Sequence, residues 1–349
     1  MKLSFVGDVS FTGIYRLVDP VLSDNITNYL NSNDYNICNL EGPLTDMETV
    51  KDKNLDVKSP LNCVKHLTKN KFNICGLANN HIFDAGEAGF KDTVDNLRKN
   101  NIQFAGASLE FEQQVQPIYL EQESVKVAVY FIGHNQEPDF TNSSYGVYNS
   151  SHFNFKKEFE IQKRMGCDWI IVYSHDGPEY NVIPTPSVTE KYDKLIENGA
   201  DVVIGHHSHT VQGSRKSKNK YIYYSLGNFL FDIKQHKNKS FTDLGLIIDM
   251  NLEKQSIQIN EKLTRKNRVN GIVEFVDSND NKSKHYKRLT KRVSSKRWLI
   301  LDGLRVLFFN STPLKNVINF FLFPIVYILK YRIIRGTQSE FFDTINPFK

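Results

Sequence analysis

Short apolar runs alternate with longer amphipathic ones through the first two thirds of the chain, which predicts an α/β layered domain. The runs with strand character are KLSFV (2–6), YNICNL (35–40), FNICGL (72–77), VAVYFIG (127–133), DWIIVYS (168–174), DVVIG (201–205), YIYYSL (221–226) and DLGLIIDM (243–250). Between them, 19–31, 60–69, 87–99, 153–165 and 187–198 carry the spacing of amphipathic helices. The chain shows no internal repeat.

From about residue 266 the pattern changes. SNDNKSKHYKRLTKR (278–292) is polar and basic, and predicts a solvated linker. Residues 298–336 are then rich in Leu, Ile and Phe, but their cleanest apolar stretch, Val317–Leu329, has 13 residues, short of the roughly 20 a membrane-spanning helix needs. The organisation expected is a main domain over 1–265, a basic linker over 266–297 and an apolar helical appendage over 298–349.

Charge sharpens that division. From Lys282 onward 14 Lys and Arg face three acids, so the tail carries +11 and the preceding residues −6, within a total of +5. Basic residues flanking apolar, aromatic segments suit helices lying on an anionic membrane surface through residues 282–336. A helical subdomain packed on the core is the alternative. Nucleic acid is not an expected partner, because the aromatics sit in apolar runs apart from the basic residues. The four cysteines (Cys38, Cys63, Cys75 and Cys167) have no C-x-x-C spacing and read as buried thiols. The first residues carry no export signal, so the expected location is cytoplasmic, peripheral on the inner face of the cell membrane.

The polar residues with chemical potential fall at strand ends: Asp8, Glu41, Asn80, His81, His175, His207, His209 and Asn228. In α/β folds, side chains from separate strands converge there. VIGHHSH (203–209) alone holds three of the ten histidines. Asp8 and Glu41 offer carboxylate oxygens, Asn80 a carbonyl oxygen, and His175, His207 and His209 neutral nitrogens, a mixed set that suits one or two divalent ions of Mn, Fe or Zn. His81 could act as a general acid, oriented by Asp84. Each residue also has a plainer reading: Asp8 and Asp84 as caps, Asn79, Asn80 and Asn228 as partners of local backbone, His81 and His175 as buried histidines.

Six blocks, GDVSFTG (7–13), NLEGPLT (39–45), ANNHIFDAG (78–86), SHDGPEY (174–180), GHHSHTVQG (205–213) and YYSLGNFLFD (223–232), resemble in order and spacing the bacterial capsule synthesis family of the CapA, poly-gamma-glutamate type. The resemblance spans roughly residues 1–250. It implies a calcineurin-like metallophosphoesterase fold, a four-layer sandwich of two mixed β-sheets flanked by helices. By motif it carries the metal-ligand role onto Asp8, Glu41, Asn80, His175, His207 and His209 and the catalytic role onto His81, and leaves His206 either a bystander or a group behind the ligands. Asn39, Glu179 and Asn228 are expected to bind substrate.

Two positions depart from the pattern. Where the superfamily commonly begins D-x-H, Ser10 follows Val9, so the second ion is short of a ligand. Asp176 replaces the usual aromatic or Gly. The function implied is capsule or exopolymer biosynthesis by metal-dependent hydrolysis or transfer at an amide, ester or phosphoester of a polymer or peptide. The alternative is a non-catalytic or metal-free, including epimerase-like, component of a membrane-associated polymer synthesis complex.

Overall fold

The computed structural model describes residues 1–50, 57–111, 116–267 and 269–295. The strands are β1 (Lys2–Val9), β2 (Tyr35–Leu40), β3 (Phe72–Gly76), β4 (Gln103–Ala105), β5 (Ala107–Ser108), β6 (Ile118–Gln122), β7 (Val125–Gly133) and β8 (Gly146–Val147). They continue as β9 (Trp169–His175), β10 (Val202–His206), β11 (Val211–Ser217), β12 (Lys220–Leu226), β13 (Asn228–Leu230), β14 (Leu244–Leu252), β15 (Ile257–Lys266) and β16 (Val273–Phe275). The helices are α1 (Asp24–Asn31), α2 (Val64–Lys69), α3 (Gly86–Lys99), α4 (Phe155–Arg164), α5 (Pro186–Glu197) and α6 (Asn281–Ser294).

Two mixed sheets form the body, as expected. The first runs β16-β15-β14-β1-β2-β3-β4 with β13 beside β1, and the second runs β11-β12-β10-β9-β7-β6. Strand alternation explains the layering. In β7, Val127, Val129 and Phe131 join the core between the sheets, while Tyr130 turns outward and packs its ring on Phe155 and Phe159 of α4. Tyr224 of β12 likewise faces Tyr192 of α5. Helices α1, α2 and α3 pack against strands of the first sheet. Between the sheets, Tyr173 lies against Phe5 and Phe131, and its hydroxyl donates to the Val6 carbonyl at 2.5 Å.

Two expectations change. The segment 19–31 is helical only from Asp24, because Leu22 bridges to Val273 and Ser23 N–H donates to the Val273 carbonyl before the helix begins. Among the described residues of the linker expected over 266–297 lie a strand, β16, and a helix, α6. Tyr286, Leu289 and Val293 of α6 are buried and α6 packs on β11, with the Tyr286 hydroxyl donating to Glu261 Oε2 at 3.0 Å. The compact unit therefore extends to Ser295. The expected apolar appendage, 298–349, lies outside the described residues. Among the described residues, no helix is long and apolar enough to cross a membrane.

Candidate metal centre

The polar cluster forms where the chain passes from one sheet to the other. Between β12 and β13 stands a single residue, Gly227, and this crossing sets Asn228 in register with Asp8 of β1. Gly227 has φ +66°, and a Cβ there would lie 2.6 Å from the Leu244 carbonyl oxygen. Gly7 packs against the same crossing, where a Cβ would fall 1.9 Å from the Gly227 oxygen. The close approach therefore demands glycine on both sides.

The neighbouring strands bring in the other groups. Asn39 of β2 pairs with Asp8, and Glu41 follows directly after β2. His175 and His206 end β9 and β10 as a registered pair. Beyond β10 the backbone turns through His207 at φ +85° and His209 at φ +55°. Such left-handed conformations cost a non-glycine residue about 1–2 kcal/mol. They bring the His207 ring to 4.5 Å from that of His175 and 6.2 Å from that of His209, centroid to centroid.

Asn39 ties the cluster together. Its amide nitrogen donates to Asp8 Oδ1 at 2.8 Å and lies 3.3 Å from His175 Nδ1 and 3.5 Å from Glu41 Oε2. Its oxygen accepts from Asn79 Nδ2 at 3.2 Å, and Asn79 in turn donates to the Leu40 carbonyl and accepts from His81 N–H. His175 Nε2 stands 3.0 Å from the oxygen of half-buried Asn80. His81 and Asp84 are buried, with Nδ1 2.6 Å from Oδ2.

Burial and mutual proximity shift these groups in opposite directions. Burial opposes charge on Asp8, yet His206 and His209 hold its carboxyl well below the usual carboxylate range. Burial, reinforced by Asp8, pushes Glu41 well above that range. Burial and the neighbouring His207 push His175 down, and burial with His209 takes His207 to about 4. His209 goes the other way: burial works against its charge, but Glu41 and Asp8 raise it to about 9.

Asp8 Oδ2, Glu41 Oε1 and His207 Nδ1 are buried without hydrogen-bond partners. Leaving each unpaired costs about 1–3 kcal/mol. Asp8, Glu41 and His175 form one group of ligand atoms within 4.8 Å of one another, and Glu41, His207 and His209 form a second. Glu41 belongs to both groups. This donor set fits a divalent metal of the Mn, Fe or Zn type.

Other expected residues take different places. The Ser10 hydroxyl donates to the Val57 carbonyl at 3.1 Å, so position 10 offers the cluster no nitrogen. His206, read as a bystander or a group behind the ligands, is buried with Nδ1 3.4 Å from Asp8 Oδ1 and its ring on Tyr173. Asn39 and Asn228, expected to bind substrate, are buried and engage their amides within the protein. Glu179 is exposed on a cleft of about 530 Å³ that also takes in Asn80, His207, His134, Asp176 and Lys191. Asp176 receives the Lys191 ammonium at 2.7 Å. His236, missed in the sequence, packs its ring 4.7 Å from that of His209. It lies in the polar stretch KQHKN, outside the resembling blocks, and carries no periodic signal.

The chain is similar to a solved calcineurin-like phosphoesterase, YfkN of Bacillus subtilis, at a TM-score of 0.42 and 14% identity, covering 83% of this chain and 97% of that one. It is 27% identical over 298 residues to the capsule biosynthesis protein CapA of Bacillus anthracis, covering 77% of this chain and 72% of that protein. It is 28% identical over 247 residues to the PGA biosynthesis protein CapA of Bacillus subtilis, covering 66% of this chain and 63% of that protein. The family model described as bacterial capsule synthesis protein PGA_cap matches residues 2–233. Because that match spans well over half of its length, the chain belongs to the bacterial capsule synthesis protein family.

Proposed function

We propose that the protein serves capsule or exopolymer biosynthesis as a metal-dependent enzyme, hydrolysing or transferring an amide, ester or phosphoester of a polymer or peptide. The observation that carries this reading is the pair of ligand groups sharing Glu41, with Asp8 Oδ2 and Glu41 Oε1 buried without hydrogen-bond partners. Asp8, Glu41, Asn80, His175, His207 and His209 would hold one or two divalent ions. Bound there, an ion supplies Lewis acidity and lowers the pKa of water.

The chain's own residues do the rest. Asn39 keeps Asp8, Glu41 and His175 in one arrangement. His81, with Asp84 fixing its ring, gives a proton to the leaving group. The adjoining cleft offers Gln136, Thr185, Ser187, Lys191 and Glu179 to a polar, hydrogen-bonding substrate.

Membrane contact is part of the proposal. The apolar side of α6 is buried while Lys284, Lys287, Arg288, Lys291 and Arg292 are exposed, a basic face suited to an anionic lipid surface such as the inner leaflet of the cell membrane.

A metal-free role within a polymer synthesis complex is the competing reading, and Ser10 favours it. Elemental analysis of Mn, Fe and Zn in protein purified without chelator separates the two. Wild type is expected to hold one or two equivalents that Asp8→Ala and His207→Ala lose. No metal after incubation with each ion would overturn the hydrolytic reading.

A further inference from the structure

We infer that Asn228 and His236 are positioning residues for His209, fixing which of its ring nitrogens faces the metal centre; this rests on the metal-centre reading above. The geometry determines the direction of each hydrogen bond. Asn228 Nδ2 lies 3.0 Å from the Thr242 carbonyl oxygen, which only accepts, so the amide nitrogen must face Thr242. Asn228 Oδ1 therefore faces the other way, 3.0 Å from His209 Nδ1, and because an amide oxygen only accepts, Nδ1 carries the hydrogen. In the neutral, ligating form of the ring, Nε2, 3.7 Å from Glu41 Oε1, is then the nitrogen with its lone pair toward the cluster.

His236 completes the arrangement. Its Nδ1 lies 3.4 Å from Asn228 Nδ2, giving the amide a second acceptor beside Thr242. Its ring and that of Phe231 stand 4.7 and 5.0 Å from the His209 ring and hem it in, while Thr242 Oγ1 donates to the His236 carbonyl at 2.9 Å. The arrangement has an alternative to suppress. His209 Nδ1 also lies 3.5 Å from Asp8 Oδ2, and without Asn228 its hydrogen would turn to that carboxylate and draw Asp8 away from the ion. Groups that orient a metal-bound histidine in this way are typically worth 10–100-fold in metal affinity.

The test uses the full chain and Zn²⁺ alone. Nitrogen-15 NMR of labelled histidine rings, with His209→Ala assigning the signal, reports the tautomer, and calorimetry reports affinity. With Zn²⁺ bound, wild type should show His209 as the Nδ1–H form. Asn228→Ala should lose that defined form and bind Zn²⁺ about 10–100-fold more weakly. His236→Phe, which keeps a ring but removes the acceptor, should lose less affinity than Asn228→Ala. Melting without metal shows which variants fold, and should Asn228→Ala not, Asn228→Ser repeats both measurements. Unchanged tautomer and affinity in folded Asn228 variants would overturn this inference alone. Absence of Zn²⁺ binding by wild type would overturn the metal-centre reading with it.

Discussion

His81 Nδ1 stands 2.6 Å from Asp84 Oδ2 on a buried turn, so the carboxylate holds the ring with Nδ1–H directed at it. Asp84→Asn replaces that acceptor with a group that can offer an N–H to the same nitrogen and stabilise the wrong tautomer. If the protein is the proposed enzyme, turnover of its amide, ester or phosphoester should fall about 10²–10⁴-fold with metal content unchanged. Parallel loss of bound metal would instead assign Asp84 to the scaffold of the centre.

The crossing at Gly227 makes a second prediction, about packing. A Cβ on Gly7 would lie 1.9 Å from the Gly227 carbonyl, and backbone cannot yield as a flexible side chain does. Gly7→Ala should cost about 3 kcal/mol or more in urea unfolding and displace the neighbouring Asp8, weakening metal binding with it. A Gly7→Ala protein as stable as wild type would show that β1 and the crossing are not held so closely.

Much of this was legible in the sequence because the informative strands are buried on both faces. YNICNL matches β2 residue for residue, and the ends of β9 and β10 fall within one residue of the apolar runs. Strands with a solvated side were not legible. In β15, exposed polar positions break the apolar run, and β11 is rich in Ser, Lys and Arg at a sheet edge. Helix α6 escaped for a related reason: Tyr286, Leu289 and Val293 form a sparse apolar row hidden by the basic residues around it. In the site, motif residues could be placed from strand ends, but no local pattern announces that Asn39 touches Asp8 and His175, or that His236 packs on His209. Those contacts are tertiary.

Acid stability should depend on Asp232. Its carboxylate receives the Lys266 ammonium at 2.6 Å and the Ile14 N–H at 3.1 Å. Burial raises its pKa, but Lys266 and Ile14 outweigh burial and hold it below the ordinary 3.8. A carboxyl depressed in the folded state stabilises above its unfolded value, and that contribution is lost as pH falls from 3.8 through the folded value. Asp232→Asn should therefore unfold about 1–3 kcal/mol more easily at pH 7 and lose less further stability on acidification. Urea unfolding between pH 7 and pH 3 checks this, and parallel curves for the two proteins would count against it.

The basic face of α6 makes the last prediction. Its apolar side is occupied by β11, so Lys284, Lys287 and Lys291 can meet an anionic surface without unfolding the helix. Near such a surface each basic residue contributes about 1 kcal/mol. Lys284→Gln, Lys287→Gln and Lys291→Gln together should then weaken co-sedimentation with phosphatidylserine vesicles roughly 100-fold, and salt should weaken the wild type toward the variant. These substitutions leave Tyr286, Leu289 and Val293 in place, so melting temperature should hold. Equal binding by the triple variant would show that these three lysines do not carry the lipid contact. Binding that is equally strong on neutral vesicles would remove electrostatics from the account and leave burial of apolar side chains as the force holding the protein to lipid.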